Sequence, residues 1–260
     1  MSTGEIIWVG FLASLFAGLG TGVGALGVFL VRRLSERLED GLLSFAAGIM
    51  LAASFLSLLL PGLEVAAEQY EHAVSAVAVV AAGFLAGAVA LSLVHRFAPH
   101  EHFQLGREGP ESSTLNRLWL FVIAITLHNF PEGMAVGVGF AGGDLENGRS
   151  LAAGILLQNI PEGLAVATSL LVIGYGRAQA FFIAFLTGLV EPVGGLFGSS
   201  MVSLAEPLMP WTLGFAAGAM VFIISDEVIP ETHRGDYKTL ATFSLMLGVV
   251  VMLVLDVLMG

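Results

Sequence analysis

The sequence predicts an all-α polytopic membrane protein with eight transmembrane helices, on three observations. Hydrophobic side chains make up 56% of the 260 residues and charged ones 12%, with a mean hydropathy of +0.88, far too apolar for an ordinary soluble domain. The apolar residues fall into eight runs, each near the roughly 20 residues needed to cross about 30 Å of hydrocarbon. The connections are short apart from one, so a single transmembrane domain spans residues 1–260.

The first run, about 6–31, follows Met1-Ser2-Thr3-Gly4-Glu5. That start lacks the basic residues of a cleavable signal, so the run is expected to stay as a spanning helix. Gly18, Gly20, Gly22, Gly24 and Gly27 punctuate it, as Gly188, Gly194, Gly195 and Gly198 punctuate the sixth run. In lipid, small residues let helices approach closely, so these are read as packing surfaces. The second and third runs cover about 41–60 and 73–95; the loop 96–116 then reads Arg-Phe-Ala-Pro-His-Glu-His-Phe-Gln before turning Gly-, Glu- and Ser-rich. The fourth and fifth, about 117–140 and 150–173, carry the polar motifs described below. The sixth, seventh and eighth cover about 178–203, 208–229 and 239–258.

Basic residues orient the chain, because Lys and Arg are retained on the cytoplasmic side. Arg32, Arg33, Arg37, Arg96, Arg107, Arg117, Arg177, Arg234 and Lys238 flank odd-numbered connections, and only Arg149 flanks an even one. Both termini are therefore expected outside a plasma or inner membrane, with loop 96–116 in the cytoplasm. The second and seventh helices then run in opposite directions, and they share an echo: Phe45-Ala46-Ala47-Gly48-Ile49-Met50 against Phe215-Ala216-Ala217-Gly218-Ala219-Met220, followed by Pro61 and Pro230. Such a pattern marks an inverted repeat with a site near the midplane; helix packing in a Gly- and Ala-rich bundle is the plainer explanation of the hexapeptide. The net charge of −11 says little about the surface, since several acids lie inside apolar runs. With no cysteine, possible metal ligands are His, Asp, Glu, Asn, Gln, Met and water.

Leu127-His128-Asn129-Phe130-Pro131-Glu132-Gly133 and Leu157-Gln158-Asn159-Ile160-Pro161-Glu162-Gly163 sit in the middle of apolar runs. An ionisable group there costs roughly 2.5–3.5 kcal/mol even on the lenient insertion scale, so it calls for a partner or a task. Helical spacing stacks His128 on Glu132 and Gln158 on Glu162, with Asn129 and Asn159 on the adjoining flank. Pro131 and Pro161 have no N–H, which frees the carbonyls of Leu127 and Leu157. Glu191, next to Pro192 inside the sixth run, completes a second set with Asn129, Asn159, Glu132 and Glu162, while Asp226 and Glu227 close the seventh run and Asp256 ends the eighth. Mixed imidazole, carboxylate and amide ligands suit Zn²⁺ first, then Fe²⁺, Co²⁺, Mn²⁺ or Cd²⁺. An intramembrane metalloprotease would need an HExxH pair, which is absent. A proton- or sodium-coupled carrier of a small organic solute, using the same carboxylates, is the alternative. Neither an enzyme, nor a catalytic cofactor, nor a nucleic-acid partner is expected; the metal is cargo.

These paired motifs, with Glu191-Pro192 next and Glu227-Val228-Ile229-Pro230-Glu231-Thr232-His233 ending the seventh run, resemble the ZIP (Zrt/Irt-like) metal transporters, in particular their bacterial GufA-like branch. The resemblance covers nearly the whole chain. It implies a 3+2+3 inverted arrangement of eight helices, extracellular termini, a homodimer, and import of zinc and related divalent ions through a binuclear centre between the fourth and fifth helices. By motif, it assigns His128, Glu132, Gln158 and Glu162 to the first metal site with Met50 beside it, and Asn129, Asn159, Glu162 and Glu191 to the second. Ser57, Asp226, Glu227 and Asp256 match the family's pathway more loosely, and the family's histidine-rich loop is reduced to His100 and His102, with His95 nearby; His233 is a further pathway candidate. Some relatives carry Asp where Asn159 stands and His where Gln158 or Asp226 stands.

The chain has no thiol of its own, so cysteines placed at Ser2 and Gly260 report its topology. Both are expected to react with an impermeant thiol reagent applied from outside; reaction at only one terminus would rule out an even number of spans.

Overall fold

A computed structural model describes residues 1–101, 107–108 and 117–259. Eight helices are long and apolar enough to cross a membrane: α1 (Thr3–Phe29), α2 (Glu36–Gln69), α3 (Ala73–Phe97), α4 (Leu118–Gly139), α5 (Leu145–Ile173), α6 (Arg177–Ser203), α7 (Glu206–Thr232) and α8 (Lys238–Met259). Among the described residues the only strands are β1 (His100–Glu101) and β2 (Arg107–Glu108), paired antiparallel. His102 lies outside the described residues, and so does the side chain of His100.

Local chemistry sets the helix ends. Ser2 and Glu5 form a reciprocal capping box on α1, Ser35 caps α2, and the Asp144 side chain accepts from the Asn147 N–H at 3.0 Å to start α5. Helix α5 stops at Gly174, whose φ of 107° is readily reached only without a Cβ.

Helix α1 shows how the bundle is sorted. Trp8, Leu12, Phe16, Leu19, Val23 and Leu26 form an exposed stripe, while Gly10, Ser14, Ala17, Gly18, Thr21 and Ala25 are buried. Bulk faces outward and small residues face inward, because close backbone approach is what holds helices together where lipid is as apolar as protein. The buried side of α1 packs on α5 and α6, and α4 packs on α6; α2 packs on α8 and α3 on α7. Contacts of α2 and α8 with α5, and of α7 with α4, join the two groups.

The hexapeptide echo occupies matching contacts. Gly87 of α3 faces the backbone of Phe215 and Ala219, while Gly248 of α8 faces that of Phe45 and Ile49; in return Gly218 meets Phe84 and Gly48 meets Leu245. Helix α2 runs past the expected end near residue 60 to Gln69, because Pro61 falls in the first turn of its last segment, where a missing N–H is harmless. That segment follows a wide π turn at Ser54–Leu59, matched in α7 by one at Ile224–Val228 just before Pro230. Helix α6 is broken at Leu189–Val190, and its second half starts at Glu191.

A Cβ at Gly218 would run into the Phe84 backbone, whereas one at Gly41 would meet nothing closer than Ser244 Oγ at 3.6 Å. Overpacking costs roughly 1–3 kcal/mol, so Gly218→Val is expected to lower the unfolding midpoint of the full chain in detergent well below that of Gly41→Val. Equal midpoints would mean that α3 and α7 do not depend on this contact.

Candidate metal site

The two motifs face one another from α4 and α5. The glycine ending each lets another helix come close: a Cβ at Gly133 would strike the backbone of Glu191, and one at Gly163 that of Thr21 in α1. Glu132, Gln158, Asn159 and Glu191 are fully buried and Asn129 is 1% exposed; Glu162 and His128 are half-buried. Glu132 and Glu162 each follow a proline inside a continuous helix, Pro131 and Pro161, and Glu191 is the first residue after the α6 break.

Hydrogen bonds run between helices. Gln158 Nε2 donates to Glu132 Oε1 at 2.6 Å. Asn159 Nδ2 donates to Glu191 Oε1 at 2.7 Å and to the Ala17 carbonyl at 3.0 Å. His128 Nδ1 lies 3.2 Å from the Ala124 carbonyl, which can only accept, and Nε2 lies 3.1 Å from Glu227 Oε2, so the two contacts together need a proton on each ring nitrogen or one on Glu227. Glu227 Oε1 in turn meets His95 Nδ1 at 3.0 Å, and the exposed Asp226 is 3.9 Å from the same nitrogen.

Four buried oxygens in this group have no hydrogen-bond donor: Glu132 Oε2, Gln158 Oε1, Asn159 Oδ1 and Glu191 Oε2; the Asn129 amide nitrogen likewise has no acceptor. Among the described residues no three His, Asp or Glu side chains are gathered closely enough to hold a metal ion by themselves. Amides separate the carboxylates instead.

Of the remaining sequence candidates, Met50 is 3% exposed within the main apolar cluster. Ser57 Oγ donates to Asp256 Oδ1 at 3.4 Å. His233 bonds to Thr232, the Ile229 carbonyl and Thr242, tying α7 to α8. Sequence reasoning passed over Asn147, whose amide donates to the carbonyls of Ser57 at 3.0 Å and Gly139 at 3.1 Å. The signal was there: Pro61 deprives the Ser57 carbonyl of its helical partner, so a donor for it had to be found.

An eight-helix membrane bundle with a buried constellation of imidazole, carboxylate and amide groups defines a class, the polytopic transporters with an intramembrane polar centre. The model of the ZIP zinc transporter family matches residues 100–256. The chain is 47% identical over 251 residues to the zinc transporter GufA of Myxococcus xanthus, covering 96% of this chain and 99% of that one. It is 47% identical over 240 residues to the zinc transporter ZIPB of Bordetella bronchiseptica (92% and 78%), and 34% identical over 335 residues to human zinc transporter ZIP11 (98% and 98%). The chain belongs to the ZIP family.

Removing the Asn147 donor strands two carbonyls, at about 1–3 kcal/mol for an unsatisfied buried group. Asn147→Ala is expected to lower the thermal midpoint, and Asn147→Asp, which points an acceptor at two acceptors, to lower it further. The reverse order would show that these bonds are not what holds α5 to α2 and α4.

Proposed function

We propose that this protein moves divalent metal ions, zinc first and iron, manganese, cobalt and cadmium beside it, across a cell membrane into the cytoplasm. The observation that carries this reading is the set of donorless oxygens: four buried acceptors on α4, α5 and α6 lack a donor, and a cation satisfies such groups where a neutral organic solute would need donors of its own. The relatives named above as zinc transporters support the choice of first ion.

In this reading the centre between α4 and α5 is binuclear. His128, Glu132, Gln158 and Glu162 form the first set with Met50 beside it, and Asn129, Asn159, Glu162 and Glu191 form the second. At His128 the nitrogen that a metal would take, Nε2, is the one now facing Glu227, so metal binding displaces a proton or a carboxylate contact. Asp256 and Ser57 form one approach, and Glu227, His95 and Asp226 the other, with His100 and His102 in the cytoplasmic loop beyond it. The matching Gly contacts of α2 with α8 and of α3 with α7 support a 3+2+3 inverted repeat. The working unit is a multi-pass homodimer in the plasma or inner membrane with both termini outside, and its organisation is a single transmembrane domain.

Glu162 belongs to both sets. Glu162→Ala is expected to abolish nearly all zinc uptake into proteoliposomes while the protein remains inserted; Glu191→Ala, which touches one set, is expected to leave measurable flux. Wild-type flux in the Glu162 variant would refute a path through this centre.

A further inference from the structure

We infer that Asn159 is a positioning residue whose amide holds the Glu191 carboxylate where a second cation would otherwise stand, so that this chain binds one ion at the α4–α5 centre. The inference rests on the metal-transport reading above and revises its binuclear part: the residues of the second set are present, and a second ion is not held among them.

An amide NH₂ has two protons, and both are engaged: one on Glu191 Oε1 at 2.7 Å and one on the Ala17 carbonyl at 3.0 Å. Both partners are acceptors, which fixes the orientation of the amide. Turning it over would set Asn159 Oδ1 against the Ala17 carbonyl and leave three acceptors facing one another. An amide binds metal through its oxygen, and Oδ1 points away from Glu191. Asn159 and Glu191 are therefore not offered together to one ion.

Gln158 differs in a way that matters. Its Nε2 donates to Glu132 Oε1 at 2.6 Å, and a longer side chain carries it. A cation arriving beside Glu132 takes over the role of that N–H, and turning the amide to present Gln158 Oε1 breaks one hydrogen bond where turning Asn159 would break two. The first set opens on binding; the second is tied shut by a helix that belongs to neither motif.

The tie lies where three helices touch. A Cβ at Gly20 of α1 would meet Asn159 Cβ at 3.1 Å and the Leu156 carbonyl at 2.6 Å, so α1 rests directly on α5 at this turn. Glu191 opens the second half of α6. Asn159 thereby links α1, α5 and the α6 break, and the one N–H it donates to Glu191 gives that carboxylate a positive neighbour without adding charge to a centre already holding Glu132 and Glu162.

The test is zinc counting, by mass spectrometry of the metal and by calorimetry, on the full chain in lipid nanodiscs. About one zinc per chain is expected for the wild type, set by the deprotonated ligands of the first site. Asn159→Asp removes both donors and puts a second carboxylate against Glu191, so a second zinc is expected. Asn159→Ala is expected to keep one zinc but to lose uptake rate, because Glu191 and α1 are released without a ligand being lost. Two zinc ions in the wild type, no second ion in Asn159→Asp, or loss of the zinc in Asn159→Ala would each overturn the inference; a purely structural role predicts lower stability in both variants and the same count in each. If Asn159→Asp does not insert, Glu191→Gln replaces it: one zinc supports the inference, and loss of an ion overturns it. A wild type that binds no zinc at all would instead be a failure of the transport reading.

Discussion

Inside hydrocarbon a polar group finds its partner within the protein or has none, and most of this structure follows from that constraint. The buried hydroxyls meet it locally. Ser14, Ser54, Thr168, Ser199 and Thr212 each donate to the carbonyl four residues back in their own helix. Such residues cost the bundle little and say nothing about function. Carboxylates cannot do this, because an ionised carboxylate has no proton to give and the helix offers it no free N–H. Glu132, Glu191 and Glu227 must reach across to another helix, and each does so onto an amide or an imidazole. The polar centre is the place where local satisfaction is chemically impossible.

Crossing between helices demands that they lie close, and the small residues supply that. Gly133 and Gly163 close the two motifs, yet neither lines the centre with a functional group; each removes a side chain that would hold α6 or α1 away. The distances of 2.6–3.0 Å at Gln158 and Asn159 depend on backbones in contact. A larger residue at either glycine would separate the amides from their carboxylates before it disturbed any ligand. Packing and chemistry in this family motif are thus one requirement stated twice, as Pro-Glu-Gly.

Eight spans, the paired motifs and the special place of Glu191 were legible in the sequence because each rests on local facts: hydropathy, helical spacing and a proline beside an acid. The end of α2 was not, since the apolar run stops near residue 60, whereas the helix continues through the π turn and Pro61 to Gln69. The role of Asn147 was not either, because the Ser57 carbonyl it serves lies 90 positions away in the chain. The orientation of Asn159 was beyond reach of any local rule. Its second acceptor is the Ala17 carbonyl, 142 positions away, and only the docking of α1 decides whether that amide shows its oxygen or its nitrogen to Glu191.

The two π turns tie these threads together. One extra residue in a helical turn rotates everything after it by about 100°, and such turns recur at functional sites because they re-aim side chains without breaking the helix. In α7 the turn spans Ile224–Val228 and presents Glu227 inward, 3.1 Å from His128, while its neighbour Asp226 stays exposed. In α2 it spans Ser54–Leu59 and buries Ser57, whose hydroxyl meets Asp256 and whose carbonyl meets Asn147. A proline follows each turn and withholds one N–H, so each also leaves a backbone carbonyl in need of a donor. Helices that pack along the Gly48 and Gly218 contacts therefore place their interhelical polar contacts at these turns, one where it meets α8 and α5, the other where it meets α3 and α4. A stripe of apolar packing that ends in a re-aimed polar turn keeps the buried charge of the centre off the lipid-facing surface while leaving it connected to both flanks of the bundle.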